Sequence, residues 1–331
     1  MATIVDVAAL AGVSTSTVSH VINETRHVEP GTRARVLAAV QSVGYRRDAL
    51  ARSLRRSRTD SIGLVVSDAG EPAFADMVHG VEEAAAQLGL SLLLANSAED
   101  PARERIAVET LLDRRVDGLI VARAAGSGPD LLTRIREESK PLVLLDRLAD
   151  LDVDQVGVDN AAAVAELVAH LTGKGHERIL LVAGDLRVPS LRERFEGFRA
   201  ALKSQGLGTP PGIMCEGTST AAATLESVGS IIRNPETRPT AILACSTVLA
   251  AGALKAVQDA NLPIPGAIAF ATFDGFTYSD LFEPQITTVR QPAFELGETA
   301  VELLMNRINE PNSRTQTRRL NSTIEFRRST D

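Results

Sequence analysis

The chain has no tryptophan, only two tyrosines and two cysteines, and nowhere an apolar run long enough to span a bilayer. A transmembrane helix needs about 20 consecutive apolar residues, so no membrane association is expected. The opening residues, MATIVDVAAL, show neither a basic stretch nor a long apolar segment. No secretory signal is therefore expected, and the protein is expected in the cytoplasm. Cys215 and Cys245 share no metal or redox spacing and read as reduced thiols. Also missing are a phosphate-binding GxxxxGK[ST] loop, a GxSxG nucleophile elbow and an HExxH metal motif. Gly126-Ser127-Gly128 alone does not make a dinucleotide site, and His176, far from any second metal ligand, reads as a structural hydrogen-bonding residue. Enzyme activity, a cofactor and a metal are accordingly not expected. With aromatics at 3%, a site built from stacked rings has little to draw on.

What is present is unevenly distributed. Residues 1–60 hold nine arginines against five acids, a balance of +4, which leaves −11 on the other 271 residues of a chain whose net charge is −7. A basic end on an acidic body fits a DNA contact surface attached to a sensor. At 331 residues and 44% hydrophobic, the chain can build two or three packed units.

Local signals at the N-terminus are dense. Thr3-Ile4-Val5-Asp6 reads as a capping box, followed by an apolar face from Val5, Val7, Ala8 and Leu10. Gly12 suits the left-handed end of that helix, and Ser14 caps a second one, Thr15–Asn23. Val18, Val21 and Ile22 lie on one side of it, leaving Thr15, Ser16, Thr17, Ser19 and His20 to face out. Two short helices joined at a tight glycine form a helix-turn-helix, and the polar face of the second suits the major groove. Pro30 opens a third helix with Val36, Leu37, Val40 and Val43 on its apolar face.

Residues 3–58 resemble the headpiece of the LacI/GalR family of transcription regulators. The resemblance is carried by Asp6-Val7-Ala8, Ala11-Gly12-Val13-Ser14, Thr17 to Asn23, Thr32-Arg33, Gly44-Tyr45 and Ala51-Arg52-Ser53-Leu54. It implies that Thr15, Ser16 and His20 read base edges, that Ser14, Thr17, Ser19, Asn23 and Thr32 lie at or near phosphates, and that Tyr45 closes the headpiece core. It also implies that residues 48–56 form a hinge helix, in which Leu54 wedges into the minor groove while Arg52 and Arg55 hold phosphates. Arg47 departs from the family pattern, where many members have proline, so the start of the hinge is less fixed.

Beyond residue 60, short apolar runs alternate with amphipathic stretches. Strands are expected at Ser61–Ser67, Leu90–Ala95, Gly118–Val121, Leu142–Leu145, Arg178–Val182, Ala241–Ala244 and Ala267–Ala271, with helices between them. Repeated strand–helix units imply parallel sheets covered on both faces, and two such blocks, meeting near Val156–Asn160, imply two lobes. The fold class expected is thus an N-terminal all-α helix-turn-helix headpiece plus a two-lobed α/β core resembling periplasmic binding proteins. The domain limits expected are 1–47 for the headpiece, 48–59 for the hinge and 60–331 for the effector-binding and dimerisation core.

The core too resembles the LacI family, through Val116-Asp117-Gly118, Asp159-Asn160, Gly175-His176-Glu177-Arg178, Arg194 to Phe198, Phe273-Asp274 and Thr287 to Pro292. In that fold the chain crosses between lobes three times, and the helix Ala293–Ile308 returns to the first lobe. The resemblance implies that Asp146, Arg194 and Asp274 contact an effector, with Phe74 covering it. Ser246-Thr247 stand where many members carry Asn-Asp, so Ser246 becomes the candidate contact there, and a smaller, less charged pocket is expected. The function implied is a regulator, a repressor in the first instance: a homodimer on a near-palindromic operator, its DNA affinity set by a small molecule between the lobes. Such coupling is typically about 1–3 kcal/mol. The alternatives are a transport-type ligand-binding protein and an α/β enzyme with an accessory helical domain.

Overall fold

The computed structural model describes residues 2–45, 58–208, 214–217, 220–236 and 238–331, without the side chains of 214–216. The chain divides into two units, 1–59 and 60–331.

The first unit is built from α1 (Ile4–Ala11), α2 (Thr15–Asn23) and α3 (Pro30–Val43). The Thr3 side chain accepts from Asp6 N while the Asp6 carboxylate accepts from Thr3 N, so both halves of the capping box form. Gly12, at φ 66°, ends α1 in the left-handed conformation that a Cβ would disfavour. The chain then turns so sharply that α1 and α2 are bent by 102°, the geometry of a helix-turn-helix. Val7, Ala8, Ala11, Val18, Val21, Ile22, Val36 and Ala39 form a small core, against which Tyr45 packs. Val5, Leu10 and Leu37, assigned to apolar faces from periodicity, are instead exposed. In helices this short the buried arc is narrow and its position is set by the two partner helices.

The second unit runs in chain order through β1 (Ser61–Val66), α4 (Pro72–Gln87), β2 (Ser91–Asn96), α5 (Pro101–Asp113), β3 (Gly118–Val121), α6 (Asp130–Glu137), β4 (Leu142–Leu145), β5 (Asp154–Val158), α7 (Asn160–Gly173), β6 (Ile179–Gly184), α8 (Pro189–Ser204) and β7 (Met214–Glu216). It continues with α9 (Ala221–Ile232), β8 (Ala241–Ala244), α10 (Thr247–Asp259), β9 (Ala269–Phe273), β10 (Thr287–Arg290), α11 (Ala293–Asn309), β11 (Thr317–Leu320) and β12 (Thr323–Glu325). Two six-stranded sheets result, ordered β11-β5-β4-β3-β1-β2 and β12-β10-β9-β8-β6-β7. All described pairings are parallel except β10 with β12. Strands β1, β3 and β4, like β6, β8 and β9, are buried throughout, as expected where helices cover both faces.

The chain passes between sheets three times: from β5 into α7, from β10 into α11 and from β11 into β12. Helix α11 follows a strand of the second sheet yet packs on the first lobe against α4. Their contact is backbone to backbone. A Cβ on Gly80 would lie 2.0 Å from the Phe294 carbonyl oxygen, and one on Gly297 2.3 Å from that of Met77. No single helix among the described residues is long and apolar enough to cross a membrane.

Candidate functional site

On the first unit, the candidate nucleic-acid surface is the outer face of α2. The Ser14 hydroxyl caps the helix by accepting from Thr17 N at 3.2 Å, and it also meets the Ser16 and Thr17 hydroxyls at 2.7 and 2.9 Å. Ser14, Thr15, Ser16 and Asn23 are exposed, whereas Thr17, Ser19, His20 and Thr32 are half-buried. His20 Nδ1 pairs with the Thr25 hydroxyl at 2.9 Å, and Asn23 Nδ2 donates to Ser19 Oγ at 3.1 Å. Those on α2 and its cap form one polar strip, with backbone amides at its amino end where phosphate oxygens are favoured, while Thr32 stands apart on α3 and accepts from Arg35. Arg52, Leu54 and Arg55, together with Arg47, lie outside the described residues.

In the second unit, parallel strands aim their carboxyl ends at a cleft of about 380 Å³ between the lobes. Ligands of open α/β sheets bind at such ends. Asp146 follows β4 and Asp274 follows β9, and both adopt left-handed backbone, φ 66° and 63°. Aspartate is among the few non-glycine residues that visit this region readily. Each also keeps its sheet ladder going: Asp146 N donates to Val156 O at 2.8 Å, and Asp274 N to Val289 O at 2.9 Å. The chain can thus leave the strand while the carboxylate stays at the cleft wall. Burial raises the Asp146 pKa, which the nearby Arg147 and Arg194 partly offset.

Arg194, in the first turns of α8, lies 4.0 Å from Asp274 and is almost wholly buried. Its Nη1 donates to the Cys245 carbonyl at 2.6 Å and its Nε to Asn160 Oδ1 at 2.7 Å, while its guanidinium lies 3.9 Å from the centre of the Phe273 ring. Asn160 in turn donates to Glu193, which pairs with Arg319 of β11. Arg194 is therefore fixed to two of the three interlobe crossings. Phe74 sits in the first turn of α4, not in the preceding loop, with the Arg147 guanidinium 5.9 Å from its ring centre. Ser246 caps α10 by accepting from Leu249 N at 3.4 Å, and it lines the cleft. Asp146, Arg194, Ser246, Asp274 and Phe74 thus converge on one cavity.

Ser246 brings a hydroxyl and no charge to the cleft, but other residues bring charge. Nine charged side chains line it, because Asp68, Glu71, Glu99, Arg147, Asp185 and Arg187 join the three above. These come from loops after β1, β2, β4 and β6, which sequence spacing does not bring together. Gln291, between β10 and α11, also lines the cleft and donates to Asp274 Oδ1 at 2.6 Å. Glu71 is pushed up to about 7, first by burial and then by Asp274 and Asp68. As expected from composition, rings contribute little: Phe74 is the one aromatic among the described lining residues.

Behind the cleft wall lies a second cluster that sequence reasoning missed. Glu99 takes both terminal nitrogens of Arg147, one at 2.9 Å, and accepts from Ala125 N at 3.0 Å. Arg147 Nη1 also donates to Arg123 O at 2.6 Å. Arg123 donates to the carbonyls of Ser127 and Gly128, and the Ser127 hydroxyl donates to Glu104. The loop 122–128, whose Ala125 and Gly126 line the cleft, is held by these bonds. Glu104 is wholly buried, its Oε1 has no hydrogen-bond partner, and burial raises its pKa to about 7. A glutamate with two arginines nearby gave no motif to notice in sequence.

His176 is structural, its Nδ1 meeting the Thr240 hydroxyl at 3.1 Å. No cluster of metal-ligating side chains occurs among the described residues.

A hydroxyl-lined helix-turn-helix, carried on one chain with a two-lobed cleft of charged hydrogen-bonding groups, defines a ligand-responsive DNA-binding regulator. Comparison with known proteins gives the family. Residues 3–48 match the model for bacterial regulatory proteins, lacI family, and residues 59–330 the model for periplasmic binding proteins and the sugar binding domain of the LacI family. The chain belongs to the LacI family: it is a DNA-binding transcription regulator with an effector-binding core, and not an enzyme. The ribose operon repressor of Escherichia coli (strain K12) is 37% identical over 313 residues, 94% of each chain. The HTH-type transcriptional repressor PurR of Pasteurella multocida is 37% identical over 311 residues, 94% of this chain and 93% of its own. Among solved structures, a lac repressor dimer bound to operator and the anti-inducer ONPF is 26% identical, covers 99% of both chains and superposes with a TM-score of 0.88.

Proposed function

We propose that the protein is a cytoplasmic, homodimeric repressor that binds a near-palindromic operator and releases or grips it according to a small molecule held between the core lobes. The domain limits in this reading are 1–47, 48–59 and 60–331. Thr15, Ser16 and His20 read base edges. Ser14, Thr17, Ser19, Asn23 and Thr32 hold phosphates. Arg52, Leu54 and Arg55 serve the hinge. The observation that carries the DNA side is the polar strip on α2, organised by the Ser14 cap and set on a sharply bent helix pair. For the effector side, Asp146, Arg194, Ser246 and Asp274, with Phe74 as cover, line a single cavity at strand ends. The crossings that any lobe movement must bend are tied to Arg194 through Asn160 and Glu193.

The relatives support the same reading: the ribose operon and PurR proteins are repressors, and the lac repressor is a dimer on its operator. Deletion of residues 1–58 tests it. The truncated protein should lose duplex binding while its melting temperature still responds to cleft ligands. Retained specific duplex binding would refute the assignment to α2.

A further inference from the structure

His20 sits in the last turn of α2, half-buried, with its ring held from one edge only. Its Nδ1 pairs with the Thr25 hydroxyl at 2.9 Å, and among the described residues Nε2 has no partner. That contact exists because the chain doubles back just past the helix. Glu24 ends α2 in left-handed backbone, φ 53°, a conformation uncommon for a residue with a Cβ. The Glu24 carboxylate is tethered to Arg33, so the turn is fixed to α3 as well as to α2. Thr25 itself is exposed and takes no part in the small core of the unit.

A neutral imidazole carries one proton, and the bond made by one ring nitrogen decides the role of the other. The Thr25 hydroxyl is able to donate to Nδ1, because its hydrogen is committed to no other partner among the described residues. The ring proton then resides on Nε2, where neutral imidazole in water prefers it. A ring held in this way turns a single N–H donor, and no acceptor, toward the groove. A ring free to turn or to move its proton would accept through Nε2 as readily as it donates, and bases of opposite pattern would satisfy it alike. In the major groove guanine shows two acceptors, N7 and O6, whereas adenine sets an N6 donor beside its N7 and cytosine offers only a donor. A lone donor is best satisfied by guanine, where it meets acceptors on both sides and no opposing N–H.

We propose that Thr25 is a positioning residue for base reading: its hydroxyl fixes His20 with Nε2–H toward the groove and so makes His20 select guanine. This rests on the reading of α2 as the base-reading helix. Thr25 lies outside α2 and belongs to no motif; only the turn at Glu24 brings it beside His20.

The test compares full-length wild type with His20→Ala, Thr25→Val and Thr25→Ser. Selection from a random duplex pool with the wild type gives the preferred half-site, and fluorescence anisotropy then measures all four bases at each of its positions. His20→Ala should lose preference at one G·C pair, which locates the reading. Thr25→Val keeps the shape of the side chain and removes the hydroxyl. It should lose at least about fivefold of the preference for guanine at that same pair and keep the preferences elsewhere. Thr25→Ser keeps the hydroxyl and should stay within about twofold of the wild type. A folding defect weakens every position alike, so a loss confined to one pair separates positioning from folding. Undiminished guanine preference in Thr25→Val, an equal loss in Thr25→Ser, a loss spread evenly over the half-site, or a His20-dependent pair other than G·C would overturn the proposal. If His20→Ala keeps every preference, or the wild type selects no sequence, the reading of α2 beneath it fails and the proposal with it.

Discussion

Replacing Glu104 by glutamine should stabilise the protein at pH 8 and leave its stability unchanged at pH 4.5. Glu104 is wholly buried on α5, accepts from the Ser127 hydroxyl, and has an Oε1 with no hydrogen-bond partner. Burial moves its pKa from 4.5 to about 7. An acid with a raised folded-state pKa keeps its proton in the native chain after the unfolded chain has lost its own. The unfolded state then binds fewer protons, so stability falls as pH climbs from about 4.5 to about 7, and the full penalty remains above that. Two and a half pH units correspond to about 3 kcal/mol. Glutamine is isosteric, offers a carbonyl to Ser127 and does not ionise. The difference between variant and wild type should therefore be near zero at pH 4.5 and grow to about 3 kcal/mol by pH 8, roughly 6 °C in the core transition. Taking the difference at each pH removes Glu71 and Asp146, which titrate alike in both proteins. Thermal melts of full-length protein every half pH unit would measure it. A difference that stays flat, or a variant less stable at pH 8, would show that Glu104 is ionised and satisfied, and would refute the reasoning.

Three further outcomes follow from the same geometry. Cys245 is buried at the end of β8 and its thiol is pushed up to about 12 by burial, so in a Cys215→Ser background it should resist thiol reagents at pH 8 until the core unfolds; rapid labelling of native protein would contradict this. Gly80→Ala, and separately Gly297→Ala, should each lower core stability by about 1–3 kcal/mol, because the added methyl meets backbone that cannot rotate aside; a neutral denaturation midpoint would show that α4 and α11 are further apart than described. Ser14→Ala removes the α2 cap and should destabilise the headpiece by about 1 kcal/mol and weaken duplex binding together, read by chemical denaturation and fluorescence anisotropy.

How far such features could be read from sequence depended on the range of the interaction. The capping box at Thr3 and Asp6, the Gly12 turn and the limits of α2 involve neighbours within a few residues and were legible. Strands Gly118–Val121, Leu142–Leu145 and Ala241–Ala244 were legible because continuous apolar runs had to be buried on both faces. Strands β5 and β11 were not, since Asp154, Gln155, Arg318 and Arg319 give no apolar pattern. Those two strands pair with each other across about 160 residues, and Arg307 holds Asp154 at 2.7 Å from α11. The cleft divides in the same way. Asp146, Arg194 and Asp274 could be carried over from a family resemblance. Glu71, Glu99, Glu104 and Arg147 acquire their roles only when the crossings and loops bring them together.

In the proposed function the outer face of α2 meets base pairs, and the core decides whether it stays there. An unbiased selection of duplexes from a random pool, using full-length wild type and Thr15→Ala/Ser16→Ala side by side, tests it most directly. The wild type should enrich one near-palindromic sequence with an affinity that falls steeply as salt rises, while the variant loses preference at the positions those side chains read. Enrichment of no sequence by the wild type, with candidate metabolites present as well as absent, would contradict this reading.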